Sequence, residues 1–105
     1  MTHEIIIYSR AGYNSYTALA RDLLTRYRIP FKEINITANP AAERLTAWAG
    51  EVDTPALVVA APGAALPAGP PPRRDSPGPL ICRPANYQLE NWLHRYGFLP
   101  KPYTR

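Results

Sequence analysis

Tyr8-Ser9-Arg10-Ala11-Gly12-Tyr13-Asn14-Ser15-Tyr16 marks the point where an apolar run stops and a helical pattern starts. Before it, Ile5-Ile6-Ile7-Tyr8 is β-branched and aromatic, the composition of a buried strand, and Gly12 gives the backbone the freedom to turn out of that strand. Asn14 or Ser15 can cap the helix that follows. Tyr16, Ala20, Leu23, Leu24 and Tyr27 recur at helical spacing, so one apolar face can lie on a sheet. The local unit is strand, turn, helix N-terminus.

Working outward, Ile29-Pro30 stops the first helix, because proline lacks an amide hydrogen and pushes the residue before it out of the helical region. Phe31 to Thr37 then reads as a strand with a mixed face, suited to a sheet edge. Asn39-Pro40 is a cap followed by proline at the first helical position, and Leu45, Trp48 and Ala49 form the stripe of a short helix closed by Gly50. A right-handed crossover sets the first two strands parallel. Thr54-Pro55 introduces Ala56 to Ala61, a fully apolar run that proline can only begin. Leu80-Ile81-Cys82 can pair back against it, and Leu89, Trp92, Leu93 and Tyr96 mark one face of a last helix with Gly97 as its stop. The predicted order is βαβαββα, an α/β domain with a mixed four-stranded sheet, the first strand central and helices on both faces.

Two stretches stand outside this pattern. Residues 62–79 hold seven of the chain's thirteen prolines and three of its six glycines, a composition that leaves them extended and unable to pair in a sheet or bury a core. Pro70-Pro71-Pro72-Arg73-Arg74 within them has the make-up of a segment that docks into an aromatic groove. The end of the chain, residues 98–105, reads as a short basic tail.

The whole is 105 residues, enough for one domain. No apolar run approaches the ~20 residues of a membrane span, and Met1-Thr2-His3-Glu4 lacks the regions of a signal peptide, so the expectation is a soluble, cytoplasmic monomer. One cysteine excludes an internal disulfide. The net charge of +4 comes from scattered arginines with no stripe interleaved with aromatics, which argues against nucleic acid as a partner. His3 and His94 lie far apart and leave no ligand pair at metal-site spacing, so no metal is expected.

Ile7-Tyr8-Ser9-Arg10, four residues to the helix, Thr17-Ala18 behind it, Asp53-Thr54-Pro55 and Arg83-Pro84 resemble, in order and spacing, the glutaredoxin family of the thioredoxin-like fold. The closest likeness is to the small glutaredoxin-like electron donors of ribonucleotide reductase, proteins of cell redox homeostasis. The resemblance covers most of the chain and implies a cis Thr54-Pro55 bond. It also makes residues 62–79 an insertion where that family has a tight hairpin. It places Tyr13 at the nucleophilic cysteine and Tyr16 at the resolving cysteine, so Tyr13-Asn14-Ser15-Tyr16 stands where Cys-x-x-Cys would be.

Disulfide exchange needs a thiolate to attack and a second thiol to resolve. A phenol does neither, since with a pKa near ~10 it is about one part in a thousand ionised at neutral pH. Cys82 falls on the last strand rather than at a helix N-terminus, the setting of an inert buried hydrophobe. Two readings follow. One is a glutaredoxin-like binding or scaffold protein without redox cysteines or a catalytic residue, in which Arg10, Tyr13, Thr54 and Pro55 form the ligand face for a protein, a peptide or glutathione held weakly. The other is a glutathione-dependent activity in which Tyr8 or Tyr13 stands near the thiol, as the resemblance to the related N-terminal domain of glutathione transferases implies. In the first reading there is no cofactor; in the second it is glutathione.

Overall fold

The computed structural model describes residues 3–12, 14–37, 41–50, 53–64, 66–67 and 78–99. Strand β1 (Glu4–Ser9) leads through Gly12, at φ +93, into helix α1 (Ser15–Arg26). Asn14 is the N-cap. Its side-chain oxygen accepts the N–H groups of Tyr16 at 2.9 Å and Thr17 at 3.2 Å, two of the donors that a helix start leaves without a partner. Strand β2 (Phe31–Asn35), helix α2 (Ala41–Ala49), strand β3 (Ala56–Ala60), strand β4 (Leu80–Cys82) and helix α3 (Asn86–Arg95) follow.

The strands form one mixed sheet in the order β2-β1-β3-β4. β1 pairs parallel with β2, Ile5 opposite Phe31, and antiparallel with β3, Tyr8 opposite Ala56; β3 pairs antiparallel with β4, Ala56 opposite Cys82. The two central strands are the two apolar runs, because each is covered on both faces and has no solvent side to carry polar residues. Ile5, Ile7, Leu57 and Val59 face Ala20, Leu23 and Leu24 of α1 and Leu89, Trp92 and Leu93 of α3. Ile6, Tyr8, Ala56 and Val58 face Leu45 of α2 on the other side. The mixed four-stranded sheet with β1 inside it, β2 at its edge, β4 paired with β3 and helices on both faces agrees with expectation.

Four details differ. Tyr27 does not join the stripe of α1: it caps the helix end, is 41% exposed, and its hydroxyl donates 2.6 Å to the buried Glu90 carboxylate of α3. Thr17 takes the buried place near the helix start. Residues 62–79 do contribute to a core, since Leu66 packs against the α2-side cluster. The ends of that segment are also tied down, with Gly63 donating to Glu4 at 3.2 Å and the Trp92 indole donating to the Gly78 carbonyl at 3.1 Å. Finally, Phe98 and Leu99 pack on the α1/α3 side, so the basic tail begins with two anchored apolar residues. Asn39-Pro40, Pro70 to Arg74 and Lys101 to Arg105 lie outside the described residues.

Candidate functional site

In the row Tyr8, Ala56, Cys82 the three strands β1, β3 and β4 are in register near one end of the sheet. Arg10, Thr54-Pro55 and Arg83 therefore leave the sheet at the same end, beside the start of α1. The Thr54-Pro55 bond is cis, as expected. The Asn14 side chain turns its amide nitrogen toward the Thr54 carbonyl at 3.4 Å, so the residue that caps α1 also spans to the loop before β3. The Arg83 amide donates to the Pro55 carbonyl at 2.9 Å and closes the β3–β4 ladder at this end.

Arg83 has φ +46, a left-handed conformation uncommon for a side chain of its size. That turn carries its guanidinium over the Tyr16 ring, 5.0 Å from the centroid, within the range of a cation–π contact. Tyr16 is half-buried in consequence. The expectation that Tyr16 faces the core is corrected here: it lies one helical turn before Ala20, is only half-buried, belongs to neither core cluster and is met by an arginine rather than an apolar layer.

Arg10 is exposed and makes no hydrogen bond or ion pair among the described residues. The loop behind it is fixed: the Ala11 amide donates 2.7 Å to the Thr37 hydroxyl, the Ile36 amide 2.7 Å to the Ser9 carbonyl, and the Thr37 amide 2.8 Å to the Asn35 side chain. Ser9, buried, donates its hydroxyl 2.9 Å to Glu33 on β2, and Arg21 of α1 grips the same carboxylate in a bidentate pair. Tyr13 lies outside the described residues. Thr54 is half-buried and Pro55 buried, so the two present mainly the Thr54 side to the surface.

Tyr8 is fully buried in the α2-side core, and burial raises its phenol above the ordinary tyrosine value, with Arg44 pulling the other way. Cys82 is half-buried rather than buried. Burial first, and the Asp53 carboxylate second, push its thiol above the ordinary value, while a backbone hydrogen bond from Asp53 opposes them. Both effects keep it protonated and slow as a nucleophile. No group of three or more His, Cys, Asp or Glu that could hold a metal occurs among the described residues, and no helix there is long and apolar enough to cross a membrane.

The sequence points to Arg10, Tyr13, Thr54 and Pro55 as the ligand face, with Tyr16 at a relic cysteine position; it does not reveal Asn14 and Arg83 as parts of this end. Asn14 is visible as a cap, but the hydrogen bond its amide nitrogen donates depends on the loop before β3. Arg83 was visible only as a turn residue, because nothing in an Arg-Pro pair announces a positive φ. No family model, no curated protein and no solved structure matches the chain.

Proposed function

We propose that the chain has a thioredoxin-like fold of the glutaredoxin type and works as a non-catalytic binding protein. Its ligand face is the end of the sheet where Arg10, Tyr16, Thr54 and Arg83 meet the start of α1. The observation that carries this reading is the Arg83–Tyr16 stack next to the Asn14–Thr54 bridge. An aromatic face with a guanidinium on it and a second arginine, unpaired among the described residues, at the same end of the sheet suits an extended peptide or glutathione-like tripeptide that presents a carboxylate. Redox exchange has no support, since the single thiol is on β4 and is pushed toward the protonated form. The glutathione-dependent alternative loses Tyr8, whose ring is enclosed in the core, and then rests on Tyr13 alone.

So small a surface should bind at ~10 μM to 1 mM, about 4 to 7 kcal/mol. An amide chemical-shift titration with glutathione tests the reading. Shifts at Ala11, Tyr16, Thr54 and Arg83, weakened by Arg10→Ala, Tyr13→Ala or Arg83→Ala, are expected. Absence of shifts at these residues, or binding unchanged by all three substitutions, rejects it. Turnover of glutathione with an electrophile would move the protein to the enzymatic alternative.

A further inference from the structure

At the opposite end of the sheet a cavity of about 520 Å³ opens where the residue before β1, the end of β3, the end of α3 and the two prolines Pro67 and Pro79 converge. That size lies within the ~300–1,000 Å³ of small-molecule sites, which are mostly apolar with a few polar groups that fix orientation. Val59, Ala60, Ala61, Pro67 and Pro79 supply the apolar part. The polar part is Arg95, Tyr96 and His3, and no Asp or Glu lines the cavity among the described residues.

Arg95 is exposed and makes no ion pair, and the Tyr96 hydroxyl makes no hydrogen bond, among the described residues. The Tyr96 ring itself is held in place by its contact with Trp92, centroids 5.6 Å apart. A bland account of Arg95 exists, because a cation in the last turn of a helix complements the helix dipole. It explains the residue type and not why Arg95 borders an apolar hollow alongside Tyr96, whose hydroxyl has no partner among the described residues.

From the convergence of Arg95 and Tyr96, neither paired among the described residues, on an apolar wall whose described lining holds no acid, we infer that the cavity is a site for a small organic carboxylate with an apolar body. The carboxylate lies toward Arg95 and Tyr96, and the apolar part rests on the Val59 to Ala61 strand end and the two prolines. A neutral isostere loses the charge-assisted contact, and an organic cation meets Arg95 unfavourably. The site shares no residue with the ligand face at the start of α1, so each stands or falls alone.

The test compares phenylacetate, phenylacetamide and benzylamine by amide chemical shifts on the intact chain. Phenylacetate should shift Val59, Ala60, Ala61, Tyr96, Gly97 and the Trp92 indole, and should bind about fivefold or more tighter than the amide, with benzylamine weaker still. Arg95→Gln should remove the preference for the carboxylate over the amide, and Arg95→Lys should retain part of it. Because Arg95 is exposed, both variants keep the wild-type fold, which the dispersion of the same spectra verifies. Shifts that fall elsewhere, equal affinity for acid and amide, or a preference untouched by Arg95→Gln would overturn the inference.

Discussion

Glu33 receives two donors of different kinds, the Ser9 hydroxyl and the Arg21 guanidinium, and Arg21 does most to hold its carboxyl below the usual carboxylate range. Burial acts against them and does not prevail. A carboxyl whose pKa is lower folded than unfolded adds stability above its unfolded value, near ~4.3, and loses that stability as pH falls through the folded value. The Arg21 side chain is 48% exposed, so solvent screens the pair and the contribution belongs with surface ion pairs, about 0.2–1 kcal/mol. Glu33→Gln should therefore lower the urea midpoint slightly at neutral pH, with the difference from wild type closing below about pH 4. A gap that persists undiminished in acid would mean that Glu33 acts through packing and not through charge.

Helix α1 shows how far an element can be read from its own spacing. Its buried positions, Thr17, Ala20, Leu23 and Leu24, fall on the sheet-facing side, and its cap Asn14 is one of the two residues the sequence offered. The two central strands were legible for a related reason: a run with no polar alternation has to be covered on both faces. The periodicity of α1 could not say where the sheet beneath it stops. Both ends of the expected stripe consequently went elsewhere, Tyr16 to Arg83 and Tyr27 to Glu90. Leu23 and Leu19 separate the faces energetically. Leu23 is 0% exposed and Leu19 43%, so Leu23→Ala should cost about 2–5 kcal/mol as a core truncation, while Leu19→Ala stays within about 0.5 kcal/mol. Thermal unfolding of the two variants checks this. A loss at Leu19 as large as at Leu23 would show that the outer face of α1 is covered by something in solution.

At the scale of the whole molecule, the fold brings the start of α1, the loop before β3 and the end of β4 to one end of the sheet, yet supplies no thiol at the helix start. Long-range juxtaposition is also what the sequence concealed: the Asn14–Thr54 bridge and the Arg83–Tyr16 stack each join segments whose separation only the sheet register removes. On the proposed glutaredoxin-like reading, thiol chemistry can be installed at this end. With Tyr13→Cys and Tyr16→Cys in a Cys82→Ser background, the first thiol stands one residue before the cap of α1 in sequence, and on that reading the amide dipoles of the helix start favour its thiolate and lower its pKa from the free value of ~8.5. Asn14 limits the effect, because its side chain already takes the N–H groups of Tyr16 and Thr17, two of the donors a thiolate at the helix start would draw on. The restored thiol should titrate below the free value, and adding Asn14→Ala should lower it further while destabilising the helix by about 1 kcal/mol. Thiolate absorbance followed against pH reads both shifts. The wild-type chain should show no turnover of a mixed glutathione disulfide, and the double-cysteine variant should gain it. An unshifted thiol in both backgrounds would mean that position 13 does not face the helix terminus, and the glutaredoxin register would have to be abandoned.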